Sequence, residues 1–337
     1  MAATRGTMAD VAKAAGVSVP TVSKVLNGRA DVSAATRAKV QQALQDTGYA
    51  PRRAPGNDLA GVIDLLIEGV DSPWALEIVR GTEAAAAHRG SAVVVTSSVN
   101  PGFDLPTWLD AVAARHSDGV IAALPSLGEH HLRALQELKA PVVVIDPSFD
   151  VSDRFATIGA TNWAGMFTAT ERILELGHTR IGFIVGPYKA PAAMHRLEGY
   201  ASALRRSGIE FRPELVVEGR FQVSGGHEAG GKLLDLAERP TVIICSSDQQ
   251  AAGLYEAARE RDIRIPSELS VIGFDDTVLS RYLSPALTTV HQPLAEMAAE
   301  AIRLVQQLAV DPDAHVARHI ELATTMIERR SVVSLGS

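Results

Sequence analysis

From Leu59 to Asp275 the sequence alternates short apolar runs with stretches of helical period. The runs are LAGVIDLLI (59–67), SAVVVTS (91–97), DGVIAAL (118–124), PVVVID (141–146), RIGFIVG (180–186), TVIICS (241–246) and LSVIGFD (269–275). They are continuously apolar, so both faces of each strand need cover. Parallel sheets with helices on both sides supply it. Helical patterns fill the gaps at about 74–88, 104–115, 128–138, 162–176, 196–206, 225–238 and 248–261. A further amphipathic helix is expected over 293–309 and a late strand over 318–327. These are too many units for one sheet, so the expectation is two similar α/β subdomains. Ligands of open parallel sheets bind at the carboxyl ends of the strands, which points to a cleft between the two.

The first fifty residues follow another rule. In TMADVAKAAGVSVPTVSKVL (7–26), Val11, Ala12 and Ala15 recur at helical spacing, then Val22, Val25 and Leu26. Thr7 and Ser18 stand where N-caps belong. Gly16 stands where a helix ends in a left-handed residue, and Pro20 falls in a first turn that has N–H groups to spare. Asn27-Gly28 ends the second helix. Ser33 caps a third helix over about 34–46, with Val40 and Leu44 inward and Arg37 and Lys39 available to phosphate. In a helix-turn-helix the second helix enters the major groove. Val19, Pro20, Thr21, Ser23 and Lys24 would then face DNA: Lys24 toward guanine acceptors or phosphate, Val19 toward a thymine methyl. Two helices alone fit an ordinary helical hairpin equally well.

Charge shifts that balance. The chain of 337 residues carries a net charge of −7. Residues 1–60 hold 8 Lys and Arg against 4 Asp and Glu, or +4, which leaves −11 on the rest. A basic head on an acidic body is expected where only the head meets phosphate. No apolar run is long enough to span a bilayer, and MAATRGTMADVAK lacks a secretory core, so a cytoplasmic protein is expected. Cys245, the single cysteine, lies in an apolar run and reads as a buried inert thiol. Residues 51–58 read as a linker.

Several chemical motifs fail on inspection. Gly226–Lys232 resembles a phosphate loop, but Leu233 occupies the Ser/Thr place and no strand feeds it. His315 and His319 lack a further metal ligand, and His130-His131 reads as a solvated pair. There is no nucleophile elbow and no dinucleotide fingerprint. No catalytic residue, no metal and no cofactor is expected, and an enzyme is disfavoured.

Taken in order, the landmarks resemble the LacI/GalR family of bacterial transcription regulators. They are DVAKAAGVSVPTVSKVLNGRADVSAATRAKV, Asn162 with Gly165, LELGHTRIGFIVG, RLEGY, SSDQQAAG, IPSELSVIGFDD and LTTVHQP. Within the family, VSVPTVSKVLNGRADV, GATNWAG and LYEAARERDIRIP resemble actinobacterial regulators of xylan and xylo-oligosaccharide use. The resemblance implies an all-α helix-turn-helix headpiece (1–50), a linker (51–58) and a periplasmic-binding-protein-like core (59–337). Its first subdomain would span about 59–157 and 291–318, its second about 158–290 and 319–330. It implies a homodimer on palindromic operator DNA and a sugar or oligosaccharide effector. The DNA-contacting set becomes Thr7, Ser18, Val19, Pro20, Thr21, Ser23, Lys24 and Asn27. The linker is short and Pro55-Gly56 would break a helix, so Arg52 and Arg53 are expected on phosphate or a narrow minor groove, with no leucine wedge.

For the effector, the resemblance assigns Arg196 to donating into the cleft, Asp275 to accepting from hydroxyls, Ser247 to a polar place and Phe221 to an aromatic wall. Trp74 lies on the loop after the first strand, Asp146 at the end of the fourth, and Asn162 with Trp163 near the crossover. A sugar suits this chemistry: carboxylates take hydroxyls, a guanidinium donates a planar fork, and aromatic faces cover the apolar side. Trp74 and Trp163 fit core packing equally well, and Trp108 is expected in the core. The alternatives are a transport or chemoreception sugar-binding protein, which leaves residues 1–50 unexplained, and a sugar-processing enzyme.

Overall fold

The structure is a computed structural model. It describes residues 8–26, 36, 39–40, 42–43, 47, 60–124, 128–147, 151, 154–311, 314 and 319–335, without the side chains of Ala9, Ser23 and Leu26. The chain divides into two compact units, 1–58 and 59–337.

In the first unit α1 (Met8–Ala15) and α2 (Val19–Leu26) are joined by a turn in which Gly16 has φ +66°. That left-handed value is why glycine ends α1. Ser18 accepts from Thr21 N at 3.4 Å and pairs with Thr21 Oγ1 at 2.8 Å, which closes the first turn of α2. Val11, Ala12, Val22 and Val25 are buried together with Val40 and Ala43. Thr36, Lys39, Val40, Gln42 and Ala43 are helical. Ser33, Arg37, Leu44 and the linker 51–58 lie outside the described residues.

The second unit carries two six-stranded sheets. The first contains β1 (Val62–Ile67), β2 (Ala92–Ser97), β3 (Gly119–Ala123), β4 (Val142–Ile145), β5 (Ala156–Ala160) and β11 (His319–Leu322), in the order β11-β5-β4-β3-β1-β2, all parallel. The second contains β6 (Ile181–Val185), β7 (Val216–Glu218), β8 (Val242–Cys245), β9 (Ser270–Asp275), β10 (Thr288–His291) and β12 (Thr325–Ile327), in the order β12-β10-β9-β8-β6-β7. Only β12 runs antiparallel. Each sheet thus repeats one doubly wound order and reverses direction once, at β1/β3 and at β6/β8.

Helices cover both faces. Against one face of the first sheet pack α3 (Pro73–His88) and α11 (Leu294–Val310), through Ile78, Ile302 and Val305 on Ile63, Leu65 and Ile121. The other face takes α4 (Leu105–Ala114) and α5 (Glu129–Gln136) through Trp108, Val112 and Leu132. Trp108 is buried and donates to Thr96 Oγ1 at 3.1 Å. The second sheet is covered by α6 (Asn162–Glu175) and α7 (Pro191–Arg206) on one side. On the other lie α8 (Val223–Leu234), which is the glycine-rich stretch around Gly226, and α9 (Asp248–Arg259). A short α10 (Val278–Tyr282) follows β9.

The chain crosses between the sheets three times: after β5, after β10 and after β11. This corrects two expectations. The first sheet runs through Ala160 rather than ending near 157 and takes β11, so 319–322 belong with it. The late strand over 318–327 is two strands, one for each sheet, split at 323–324. The split is fixed at Thr324, whose N–H donates to Thr161 Oγ1 at 2.9 Å and whose hydroxyl donates to Thr161 O at 3.2 Å. Two crossing segments are thereby bound to each other.

Candidate effector site and DNA-reading helix

Arg196 is the centre. Proline at the start of α7 is tolerated there, so the helix begins at Pro191, ahead of the expected 196. This puts Arg196 in the second turn, where its side chain reaches the carboxyl ends of β8 and β9. The guanidinium is buried. Nε donates to Asn162 Oδ1 at 2.7 Å, Nη1 to Ser246 O, and Nη2 to Gln292 Oε1 at 3.2 Å. Nη1 also lies 3.6 Å from Asp275 Oδ1. The ring of Phe274 lies 3.6 Å beneath the guanidinium carbon, and Phe221 5.5 Å away. A buried cation needs such company, because desolvation costs several kcal/mol per ion. Burial lowers its pKa, and the carboxylates of Asp275, Asp146 and Asp248 oppose that drop.

Gln292, just past β10, joins the two sheets. Its Nε2 donates to Asp146 Oδ2 at 2.7 Å while its Oε1 accepts from Arg196. Asp146 follows β4 of the first sheet, with φ 45°. The carboxyl ends of β4 and β9, one from each sheet, therefore meet in a single network. Burial pushes the Asp146 carboxyl up, and Arg196 and Gln292 pull it back. Burial raises the Asp275 carboxyl well above its usual range against the pull of Arg196.

Phe221 has φ 57° and a half-buried ring. A Cβ on Gly186 would come within 2.3 Å of that ring, so only glycine allows the close approach. Ser247 reaches the site indirectly. Its hydroxyl accepts from Gln250 N at 3.1 Å, capping α9, and donates to Phe221 O at 3.2 Å. It steadies the aromatic wall. Beside it, the buried Ser246 Oγ has no hydrogen-bond partner among the described residues.

The structure brings together Arg196, Asp275, Asp146, Asn162, Phe221 and, through Phe221, Ser247. It does not bring in the two tryptophans. Trp163 is 43% exposed and stacks on Phe167 at 4.8 Å; the neighbouring Asn162 takes the inward direction on α6. One residue along a helix turns a side chain by about 100°. Trp74, in the first turn of α3, is half-buried and packs on the core of the first sheet. Gln292 and Phe274 escaped the sequence reading although both lie in quoted landmarks, LTTVHQP and GFDD. Glutamine and phenylalanine at a strand end carry no local mark of their role.

In the first unit Ser18, Val19, Pro20 and Lys24 are exposed and Thr21 is half-buried, all at the start or on the outer side of α2. The backbone of Ser23 lies in α2. Thr7, Asn27, Arg52 and Arg53 lie outside the described residues. Among the described residues no group of three His, Cys, Asp or Glu side chains could hold a metal ion, and no helix is long and apolar enough to cross a membrane.

A helix-turn-helix on the same chain as a two-sheet, ligand-binding core defines a ligand-responsive DNA-binding regulator. Residues 7–52 match the bacterial regulatory proteins of the lacI family, and residues 170–332 match the periplasmic binding protein-like domain. The HTH-type transcriptional repressor CytR of Escherichia coli (strain K12) is 34% identical over 306 residues, covering 90% of this chain and 89% of that protein. The ribose operon repressor of Haemophilus influenzae is 33% identical over 337 residues, covering 98% and 99%. The chain belongs to the LacI family of transcription regulators. Among solved structures, the transcriptional regulator CelR–cellobiose complex is 30% identical with a TM-score of 0.73, covering 97% of this chain and 100% of that one. The lac repressor dimer bound to operator and the anti-inducer ONPF is 27% identical with a TM-score of 0.75, covering 98% and 100%. These relatives are repressors and regulators rather than enzymes.

Proposed function

We propose that this protein is a cytoplasmic repressor of a carbohydrate-utilisation operon. As a homodimer it binds a palindromic operator through residues 1–50, and a neutral sugar or oligosaccharide bound to the core (59–337) releases it. Arg196, Asp275, Asp146, Asn162 and Phe221 hold the sugar, and Ser247 supports Phe221. Val19, Pro20, Thr21 and Lys24 read the operator. One observation carries the ligand class: a single buried guanidinium faces two carboxyls, Asp275 and Asp146, beside the faces of Phe221 and Phe274. Carboxyls accept hydroxyls, and the half-buried ring of Phe221 covers the apolar side of a sugar ring, while Phe274 lies beneath the guanidinium. A phosphate group would meet those same carboxyls, so the arrangement favours an uncharged polyol over a sugar phosphate.

The cellobiose in the CelR complex and the word ribose in the relative's name support a carbohydrate panel as the first screen. Thermal-shift measurements with xylobiose, cellobiose, ribose and their phosphorylated analogues test the class. A mobility-shift titration on a palindrome near the protein's own operon tests the outcome. The expected result is one neutral sugar that raises Tm and lowers operator affinity. Stronger binding of a phosphorylated analogue, or the absence of a salt-sensitive operator preference, overturns the reading. A sugar-binding protein without a DNA role would bind the sugar and ignore the operator.

A further inference from the structure

The backbone turn that carries Asp275 is held in an unusual shape. Asp275 has φ 112° and Asp276 has φ 57°, two consecutive positive values in residues with side chains. Such a turn persists only where its surroundings over-determine it. The carboxylate of Asp276 faces one way: it accepts from Arg329 Nη2 at 2.6 Å and Ser280 Oγ at 3.0 Å, with His291 Nδ1 3.2 Å away. Asp275 faces the other way, toward Arg196.

A buried side chain on a different element holds the turn. Asp248 is the first residue of α9. Its Oδ2 accepts from Thr277 N at 2.7 Å and Thr277 Oγ1 at 3.0 Å, the residue directly after the turn. Its Oδ1 accepts from Thr289 Oγ1 at 2.6 Å on β10, the strand beside β9. One residue thus grips the end of the turn and the neighbouring strand.

We propose that Asp248 is a positioning residue of the effector site: its carboxylate locks the Asp275–Asp276 turn through Thr277 and Thr289, so that Asp275 is presented to Arg196 and to a ligand hydroxyl. This rests on the reading of Asp275 as a sugar-holding residue. A carboxylate in the first turn of a helix also favours the helix dipole, which is a purely structural role. Asparagine separates the two. Asp248→Asn keeps an acceptor for Thr277 and offers an N–H to Thr289, but loses the charge. Asp248→Ala loses both.

The test is a set of crystal structures of the full chain, as wild type, D248N, D248A and T289V, with calorimetric titrations of xylobiose and cellobiose. D248N should keep both positive φ values and the Asp275–Arg196 approach. D248A should relax the turn and part the pair. Sugar affinity in D248A should fall at least about tenfold. An unchanged turn in D248A, or a turn opened as widely in D248N, overturns the proposal. T289V, which removes a single contact, carries the same comparison if D248A does not fold. If neither sugar binds the wild type, the sugar reading fails while the structures still decide the role of Asp248.

Discussion

Replacing Arg196 with methionine tests the site most directly, because the side chain fills similar space and has no donor. Four acceptors lose their partner: Asn162 Oδ1, Ser246 O, Gln292 Oε1 and the Asp275 carboxylate. Breaking a buried charge pair by removing one member costs about 3–5 kcal/mol. For a core of this size that lowers Tm by roughly 10 °C. The loss should depend on pH. Asp275 and Asp146 already have raised pKa values from burial, and Arg196 is what pulls them down. Without it they rise further, so the folded state binds protons more tightly than the unfolded chain. Stability then falls as pH rises from the ordinary carboxylate value toward the raised one. R196M should be weakest above neutrality and recover toward pH ~5. Sugar affinity should drop about tenfold to a hundredfold through the loss of charged hydrogen bonds worth about 1.5–3 kcal/mol each. Thermal melts between pH 5 and 8 with calorimetric sugar titration read both. A variant that melts with the wild type at every pH would refute the claim that this cation neutralises the site.

Further outcomes follow from other residues. Burial pushes the Asp248 carboxyl up to about 7 from 3.8. The folded state therefore holds that proton more tightly, its contribution to stability is lost as pH rises from about 4 to about 7, and D248N should flatten that slope in a melting series. Gly186→Ala places a Cβ within 2.3 Å of the Phe221 ring. It should displace that ring and weaken sugar binding, and a crystal structure with Phe221 unmoved would contradict the packing argument. Lys24→Ala should weaken operator binding and reduce the salt slope by about one, whatever the sequence, if Lys24 meets phosphate; loss of preference at one base pair would assign it to a base instead. A chain starting at residue 59 should keep sugar affinity and lose operator recognition, as gel shifts and titration can show.

The sheets were legible because continuous apolar runs leave few alternatives. Seven runs from 59–67 to 269–275 correspond to seven strands, each trimmed at one or both ends. What escaped was short or spanned a crossover. The β5 strand, ATIGA, has little bulk to mark it, and β7 has three residues. The run RHIELATTMI looked like one strand because periodicity cannot report that half its backbone partners lie in another sheet. The site divides the same way. Arg196 and Asp275 were found through motif, but their spacing in sequence says nothing of Phe274 beneath the guanidinium or of Gln292 between the acids. Trp163 was misleading for a related reason: it adjoins Asn162 in sequence, and only the helix decides which of the two turns inward.

The network also explains how sugar binding could change DNA affinity at all. An effector shifts an equilibrium only by the difference in its affinity for the two states. In this core, Gln292 bonds Asp146 of the first sheet and Arg196 of the second, and it stands on a crossing segment. A sugar that takes hydrogen bonds from Arg196 or Asp146 competes with bonds that set how the sheets meet. Binding and rearrangement therefore draw on the same donors and acceptors, and no separate path between them is needed. A Gln292→Leu variant, which cannot bridge, should bind sugar with altered affinity and show a smaller change in operator affinity when sugar is added. Preserved coupling in that variant, measured as the ratio of operator Kd with and without sugar, would place the switch elsewhere in the core.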